Sequence, residues 1–270
     1  MPPDAIESPK NPRIKALVRL RSRRERTRSG VTLVEGARET GRALGAGVEV
    51  REAFVCTALL RGEGTALPGR LHAAGVPVTE VSLAAFARLS QRQGPDGVAC
   101  LIRPPVASPD LLLPFDALVV VAAGLEKPGN LGALLRSADA AGADAMVVSG
   151  GGTDPWNPGV VRASMGSVFA CPVLDLPPEA ARAWLRRRGL RVLATVPTAA
   201  TPYWDADLRG AVAIVLGPEH EGLDPAWAGA ADARVGVPMT GAADSLNVSV
   251  TGALMLFEAR RQRRNWTREA

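Results

Sequence analysis

Ala117-Leu-Val-Val-Val-Ala122 is an unbroken apolar run, the pattern of a strand buried on both faces of a sheet. Four further strands of the same apolar kind follow: Ala145 to Val148, Arg191 to Val196, Val212 to Leu216 and Arg234 to Val237. Helical patterns separate them, at Leu131 to Ala141 and Pro178 to Arg188. A long helix is expected over 245–264, with Leu246, Val250, Ala253, Leu254 and Phe257 on one face. Strands alternating with helices predict an α/β fold with a mostly parallel sheet covered on both sides.

Outward from this core, residues 32–35, 50–56, 76–79 and 98–102 read as shorter strands. Helices are expected over 9–28, 37–45 and 82–89, the last with Ser82 as its cap. Pro104, Pro105 and Pro109 then crowd a segment that suits neither helix nor sheet interior. The reading is a small α/β domain over 1–102, a linker over 103–114 and a parallel-sheet domain over 115–270. With 270 residues, the chain can bury about three quarters of its unfolded surface and needs no covalent staple.

Composition narrows the function. Cys56, Cys100 and Cys171 are far apart in sequence, and His72 and His220 are the only histidines. This excludes a disulfide framework and a cysteine- or histidine-rich metal site. No apolar run reaches membrane-spanning length, and the first residues carry no signal core, so a cytoplasmic protein is expected, with no membrane and no metal. Aromatic residues are 4% of the chain, too few for a stacking platform on single-stranded nucleic acid. Charge is uneven. Residues 1–30 hold nine Lys/Arg against three Asp/Glu, and 258–270 hold five against two, within a net charge of +5. Arg21, Arg23, Arg24, Arg26 and Arg28 form the densest cluster, neutralised only by Glu25. It reads as a phosphate-contacting RNA-binding face; a solvated helix face would carry the same pattern.

Three loops follow apolar strands, where open α/β sheets bind ligands. The first is Glu126-Lys-Pro-Gly-Asn130-Leu-Gly132-Ala-Leu-Leu-Arg136, in which Asn130 is expected to cap a helix and Arg136 to sit on its first turns. The second is Leu216-Gly217-Pro-Glu219-His-Glu-Gly222, a carboxylate bracketed by glycines. The third is Val237-Pro-Met239-Thr-Gly-Ala-Ala-Asp-Ser245-Leu246-Asn247-Val-Ser249, a strand end running into a helix start. Taken singly, each also reads as an ordinary cap or turn. The dinucleotide fingerprint and the P-loop are both absent.

Taken in order, Asn-x-Gly-x-x-x-Arg, Leu-Gly-x-Glu-x-x-Gly and Pro-Met-x-Gly-(x)3-Ser-Leu-Asn-Val-Ser closely resemble the SpoU (TrmH) family of RNA 2′-O-ribose methyltransferases, within the SPOUT superfamily. The resemblance covers about 114–264. Residues 1–102 resemble, less strongly, the RNA-binding domain that many members carry. It implies a C-terminal deep trefoil knot, which periodicity does not foretell because knots are rare exceptions to ordinary chain topology. It implies S-adenosyl-L-methionine as cofactor, held at Thr195, Val196, Leu216, Gly217, Val237, Met239 and Leu246. It implies a catalytic cluster of Asn130, Arg136, Glu219, Ser245 and Asn247, a homodimer, and a ribosomal RNA substrate, most naturally 23S. Transfer RNA methylation, or RNA binding without catalysis on the same fold, are the alternatives.

Overall fold

The computed structural model describes residues 5–218 and 222–263. The chain forms two compact units, one of residues 1–105 together with 156–170, the other of 106–155 together with 171–270.

The first unit is built on a four-stranded sheet. Its strands are β1 (Thr32–Glu35), β2 (Val50–Val55), β3 (Val78–Glu80) and β4 (Val98–Ile102), in the order β1-β4-β2-β3. β4 is antiparallel to both neighbours, and β2 and β3 are parallel. The helices are α1 (Pro12–Arg19), α2 (Arg23–Ser29), α3 (Ala37–Gly45), α4 (Leu67–Ala73) and α5 (Leu83–Leu89). Ile14, Leu17, Leu33, Phe54, Phe86 and Leu89 are buried together, so amphipathic α1 and α5 cover one sheet face. Ser82 caps α5 as expected, its hydroxyl accepting from Ala85 N at 3.2 Å.

The single helix expected over 9–28 is two. The break at Leu20–Ser22 is held by a side chain: buried Arg26 donates through Nη1 to Leu20 O at 2.7 Å and Arg21 O at 2.9 Å. These are carbonyls that a helix end leaves unpaired. Arg21 in turn donates to Leu89 O at 3.1 Å and Ser90 O at 3.2 Å, where α5 ends. Two of the five arginines expected on RNA therefore spend their donors inside the unit. Arg28 pairs with Glu25 at 2.9 Å, while Arg23 and Arg24 are exposed.

The sequence reading assigns residues 156–170 to the C-terminal domain, whereas the two compact units place them with the first. They carry α7 (Pro158–Ala163) and pack into the first unit, where Thr32 Oγ1 donates to Trp156 O at 2.7 Å. Residues 106–114, read as linker, are tied to the second unit: Trp184 Nε1 donates to Pro109 O at 2.7 Å, and Leu111 and Leu113 pack on its core.

The second unit holds a seven-stranded parallel sheet. Its strands are β5 (Leu118–Ala123), β6 (Ala145–Ser149), β7 (Val173–Leu176), β8 (Arg191–Thr195), β9 (Thr201–Pro202), β10 (Val212–Leu216) and β11 (Ala233–Gly236), in the order β7-β6-β5-β10-β8-β11-β9. All five apolar runs are strands; the short edge strands β7 and β9 carry no comparable signal. α6 (Pro128–Ala141), α8 (Pro178–Arg187), α9 (Pro225–Ala230) and α10 (Val248–Gln262) complete the unit. Val119, Val121, Val147, Val215, Trp184 and Trp227 are among its fully enclosed side chains.

The long helix starts at Val248, not at 245, because Asn247 takes the cap position and accepts from Ser249 N at 3.0 Å. The apolar face read from the sequence is not the face that turns inward. Val248, Gly252, Met255, Leu256 and Ala259 are buried, whereas Val250 is 47% and Phe257 51% exposed. Gly252 decides the register. A Cβ there would lie 2.3 Å from a Leu134 methyl, so a larger residue would require the Leu134 side chain to shift. No helix among the described residues is long and apolar enough to cross a membrane.

Candidate functional site

β10, β8 and β11 lie side by side, and their carboxyl ends open into one cavity. Thr195 Oγ1 donates to Val215 O at 2.9 Å, fixing the ends of β8 and β10 together. The cavity sits at these strand ends, where open α/β sheets bind ligands. All seven residues expected at the cofactor, Thr195, Val196, Leu216, Gly217, Val237, Met239 and Leu246, line it. Ser245, expected in the catalytic cluster, lines it too.

Two glycines make the strand ends tight. A Cβ on Gly217 would come 2.8 Å from Leu223 Cα, and one on Gly236 would come 2.8 Å from Val196 O. Real Cβ atoms do not approach backbone so closely, so the backbone can pass this near only with glycine there.

Sequence reading missed the part of the wall supplied by α10. Val248, Thr251 and Met255 line the cavity floor at the three- and four-residue spacing of one helix face. The spacing is visible in the sequence, but the sequence reading follows the apolar residues Leu246, Val250, Leu254 and Phe257 instead. Thr251 is the exception in chemistry. Its hydroxyl has no hydrogen-bond partner among the described residues, in a wall formed mainly by Leu216, Val235, Leu246, Val248 and Met255. A small apolar chamber with a few polar groups suits a flat heterocycle with hydrogen-bonding edges.

The first and third loops meet beside this cavity wall. Asn247 Nδ2 donates to Asn130 Oδ1 at 3.0 Å, while Asn247 Oδ1 accepts from Ser249 N and from Ser249 Oγ at 2.6 Å. Asn130 is not the cap of α6. Lys127 holds that position, and Asn130 is the third helical residue. Arg136 is exposed on α6, about 240° around the helix from Asn130 at 100° per residue. No hydrogen bond or ion pair joins it to either asparagine among the described residues. Glu219 lies outside the described residues. Among the described residues, Asn130 and Asn247 are brought together, Ser245 lies on the cavity wall, and Arg136 is joined to neither asparagine.

Other chemistry is limited by the surroundings. Burial pushes the thiols of Cys100 and Cys171 up to about 12, so both stay protonated at neutral pH and neither serves as a nucleophile. Among the described residues no cluster of His, Cys, Asp and Glu could hold a metal ion.

Comparison with known proteins agrees over both parts of the chain. The SpoU rRNA methylase family matches residues 117–257, and an MRM3-like substrate-binding domain matches residues 11–100. The 23S rRNA (guanosine(2553)-2′-O)-methyltransferase RlmP of Bacillus subtilis is 31% identical over 94% of this chain and 98% of its own. The 23S rRNA (uridine(2479)-2′-O)-methyltransferase of Streptomyces viridochromogenes is 30% identical, over 90% of this chain and 87% of its own. Among solved structures, an RNA 2′-O ribose methyltransferase is 47% identical, with a TM-score of 0.84 over 96% of this chain and 98% of that one. An AdoMet-bound rRNA methyltransferase from Sinorhizobium meliloti is 30% identical, with a TM-score of 0.86 over 95% and 97%.

Proposed function

Because the chain belongs to the SpoU rRNA methylase family, we propose that it transfers a methyl group from S-adenosyl-L-methionine to a ribose 2′-hydroxyl of ribosomal RNA, with 23S rRNA as the substrate. The observation that carries this reading is the cavity at the ends of β8, β10 and β11. Its lining includes the seven residues that the family resemblance places at the cofactor.

The residues fit the cofactor. Leu216, Val235, Leu246, Val248 and Met255 offer apolar walls for adenine, and Thr195, Ser245 and Thr251 offer polar contacts. The bound cofactor supplies an electrophilic methyl on a sulfonium. The ribose 2′-oxygen would take that methyl as the S–C bond breaks, with S-adenosylhomocysteine leaving and the hydroxyl proton passing to water. The protein's task is to hold the two reactants in line and to favour negative charge on the 2′-oxygen. Arg136 suits the second task as a clamp on phosphate and on the developing alkoxide. A guanidinium hardly deprotonates, so it acts as a cation and not as a base. Asn130 and Asn247 hold the first and third loops in register, and the family resemblance assigns Glu219 to the same polar cluster.

The reading includes the family's trefoil knot, with the loops of the cavity as its crossings, and a cytoplasmic homodimer. Support for the dimer is the outward face of α10, with Val250 and Phe257 exposed. The separation of Arg136 from the asparagine pair suits a site that a second subunit completes.

The test is transfer of radioactive methyl from labelled S-adenosyl-L-methionine to deproteinised 23S rRNA, 16S rRNA and transfer RNA, followed by mapping of 2′-O-methyl positions. One labelled ribose in 23S rRNA is the expected outcome. Label confined to transfer RNA would change the substrate, and cofactor binding without transfer to any RNA would leave only a binding protein.

A further inference from the structure

Among the described residues, Met165 is the single non-glycine residue with a left-handed backbone, at φ 54°. Such strain persists where surrounding packing imposes it. Here the packing is α3. Gly166 follows with φ 83°, and a Cβ on it would lie 3.2 Å from Glu39 Cα and 3.1 Å from Arg42 Cδ. The turn that ends α7 is therefore pressed onto α3, inside the first unit.

Arginines hold both sides of this seam. Arg42 Nη1 donates to Ser167 Oγ at 2.8 Å, and Arg38 Nη1 reaches Met165 Sδ at 3.8 Å. Arg162, on α7, donates to Gln91 O at 3.0 Å. The next residue, Arg92, pairs with Glu39 at 2.7 Å and donates to Glu35 O at 2.8 Å. The acids of the seam are turned inward. Glu39 is 3% and Glu35 7% exposed, and Glu35 accepts from Gln91 N at 2.9 Å and from Ser90 Oγ. Asp96 accepts from Ala37 N at 2.8 Å. Arg38 and Arg162 are exposed and have no acidic partner among the described residues. The neighbouring turn carries one charge of each sign, Arg61 and Glu63. The seam thus buries Glu35 and Glu39 and displays Arg38 and Arg162.

We propose that the α3–α7 seam is a phosphate-binding surface for the RNA substrate, with Arg38 and Arg162 each engaging a backbone phosphate and Arg42 holding the turn between them. The inference rests on the proposed function and deepens it. It moves the RNA contact from the Arg21–Arg28 cluster, where Arg26 is buried and both it and Arg21 are occupied by carbonyls, to a surface that needs residues 156–170. Those residues lie within the methylase match in sequence but within the substrate-binding unit in packing. Guanidinium forks suit phosphate, and contacts of this kind position RNA without reading its sequence.

The experiment compares wild-type protein with the double variant Arg38→Gln/Arg162→Gln, and with Arg23→Gln/Arg24→Gln as the competing site. Affinity for a 23S rRNA fragment is measured from 50 to 300 mM salt. Each phosphate contact contributes about −0.7 to −0.9 to the slope of log affinity on log salt. The Arg38/Arg162 variant should therefore have a slope shallower by about 1.5 and bind roughly tenfold more weakly at physiological salt. Its S-adenosyl-L-methionine affinity should be unchanged. Arg38→Lys/Arg162→Lys should recover most of the slope, which a merely misfolded unit would not, and matching thermal melts check folding directly. An unchanged slope in the Gln variant, or a change confined to Arg23→Gln/Arg24→Gln, would overturn the proposal while leaving the methyltransferase reading intact. Wild-type protein that neither binds nor methylates ribosomal RNA would overturn both.

Discussion

Asn247 Nδ2 donates a hydrogen bond to Asn130 Oδ1 at 3.0 Å, joining residues that are 117 positions apart in the chain. The same Asn247 caps α10 through its Oδ1. One side chain therefore starts the helix that floors the cavity and ties it to the first loop. The two roles use different atoms and can be separated. Asn247→Asp keeps a capping oxygen and loses the donor. It should leave thermal stability within a few degrees of wild type and lower methyl transfer at least tenfold. Asn247→Ala loses both, and should also lose about 1 kcal/mol of stability, the usual value of a cap. Thermal melts read against turnover on the same preparations check the split. Full activity in Asn247→Asp would reduce the Asn130 bond to a structural contact.

Arg136→Ala should bind S-adenosyl-L-methionine as wild type does, since Arg136 is absent from the cavity wall. Turnover should fall about a hundredfold or more, the usual loss with a transition-state donor. Arg136→Lys should recover little, because an ammonium lacks the planar fork. Near-normal turnover in Arg136→Ala would remove this residue from the chemistry.

Thr251→Val keeps the shape of the cavity floor and removes its hydroxyl. If the hydroxyl bonds the cofactor, its loss costs about 1 kcal/mol, the typical net value of such a bond. The dissociation constant for S-adenosyl-L-methionine, measured by calorimetry, should rise roughly fivefold. A value equal to wild type would mean that the hydroxyl faces the ligand without bonding it.

Phe257→Glu tests the homodimer. The side chain is half exposed, so a charge there costs the free subunit little, but in a C2 interface it places apolar contacts against an unpaired charge. Sedimentation should show a dimer for wild type at micromolar concentration and a monomer for the variant. Methyl transfer should fall with the dimer if a second subunit completes the site. A wild-type monomer would set the proposal aside.

Much of this protein is legible in its sequence because of burial. A strand covered on both faces must be largely apolar, so β5, β6 and β10 announce themselves as apolar runs, and β8 and β11 through the apolar residues at their centres and ends. Loops that follow such strands are where a sheet binds its ligand. The segments that begin at Leu216 and Val237 read as a site for that reason, and both contribute to one cavity. What stays hidden depends on partners distant in the chain. The break between α1 and α2 is set by where Arg26 finds carbonyls, and no periodicity records that. The face of α10 that turns inward is decided by Gly252 against Leu134, since both faces of the helix carry apolar residues. The placing of α7 with the first unit is decided by the fit of Gly166 to α3 and of Thr32 to Trp156. Local pattern reports how much of a residue is covered; only tertiary structure reports by what.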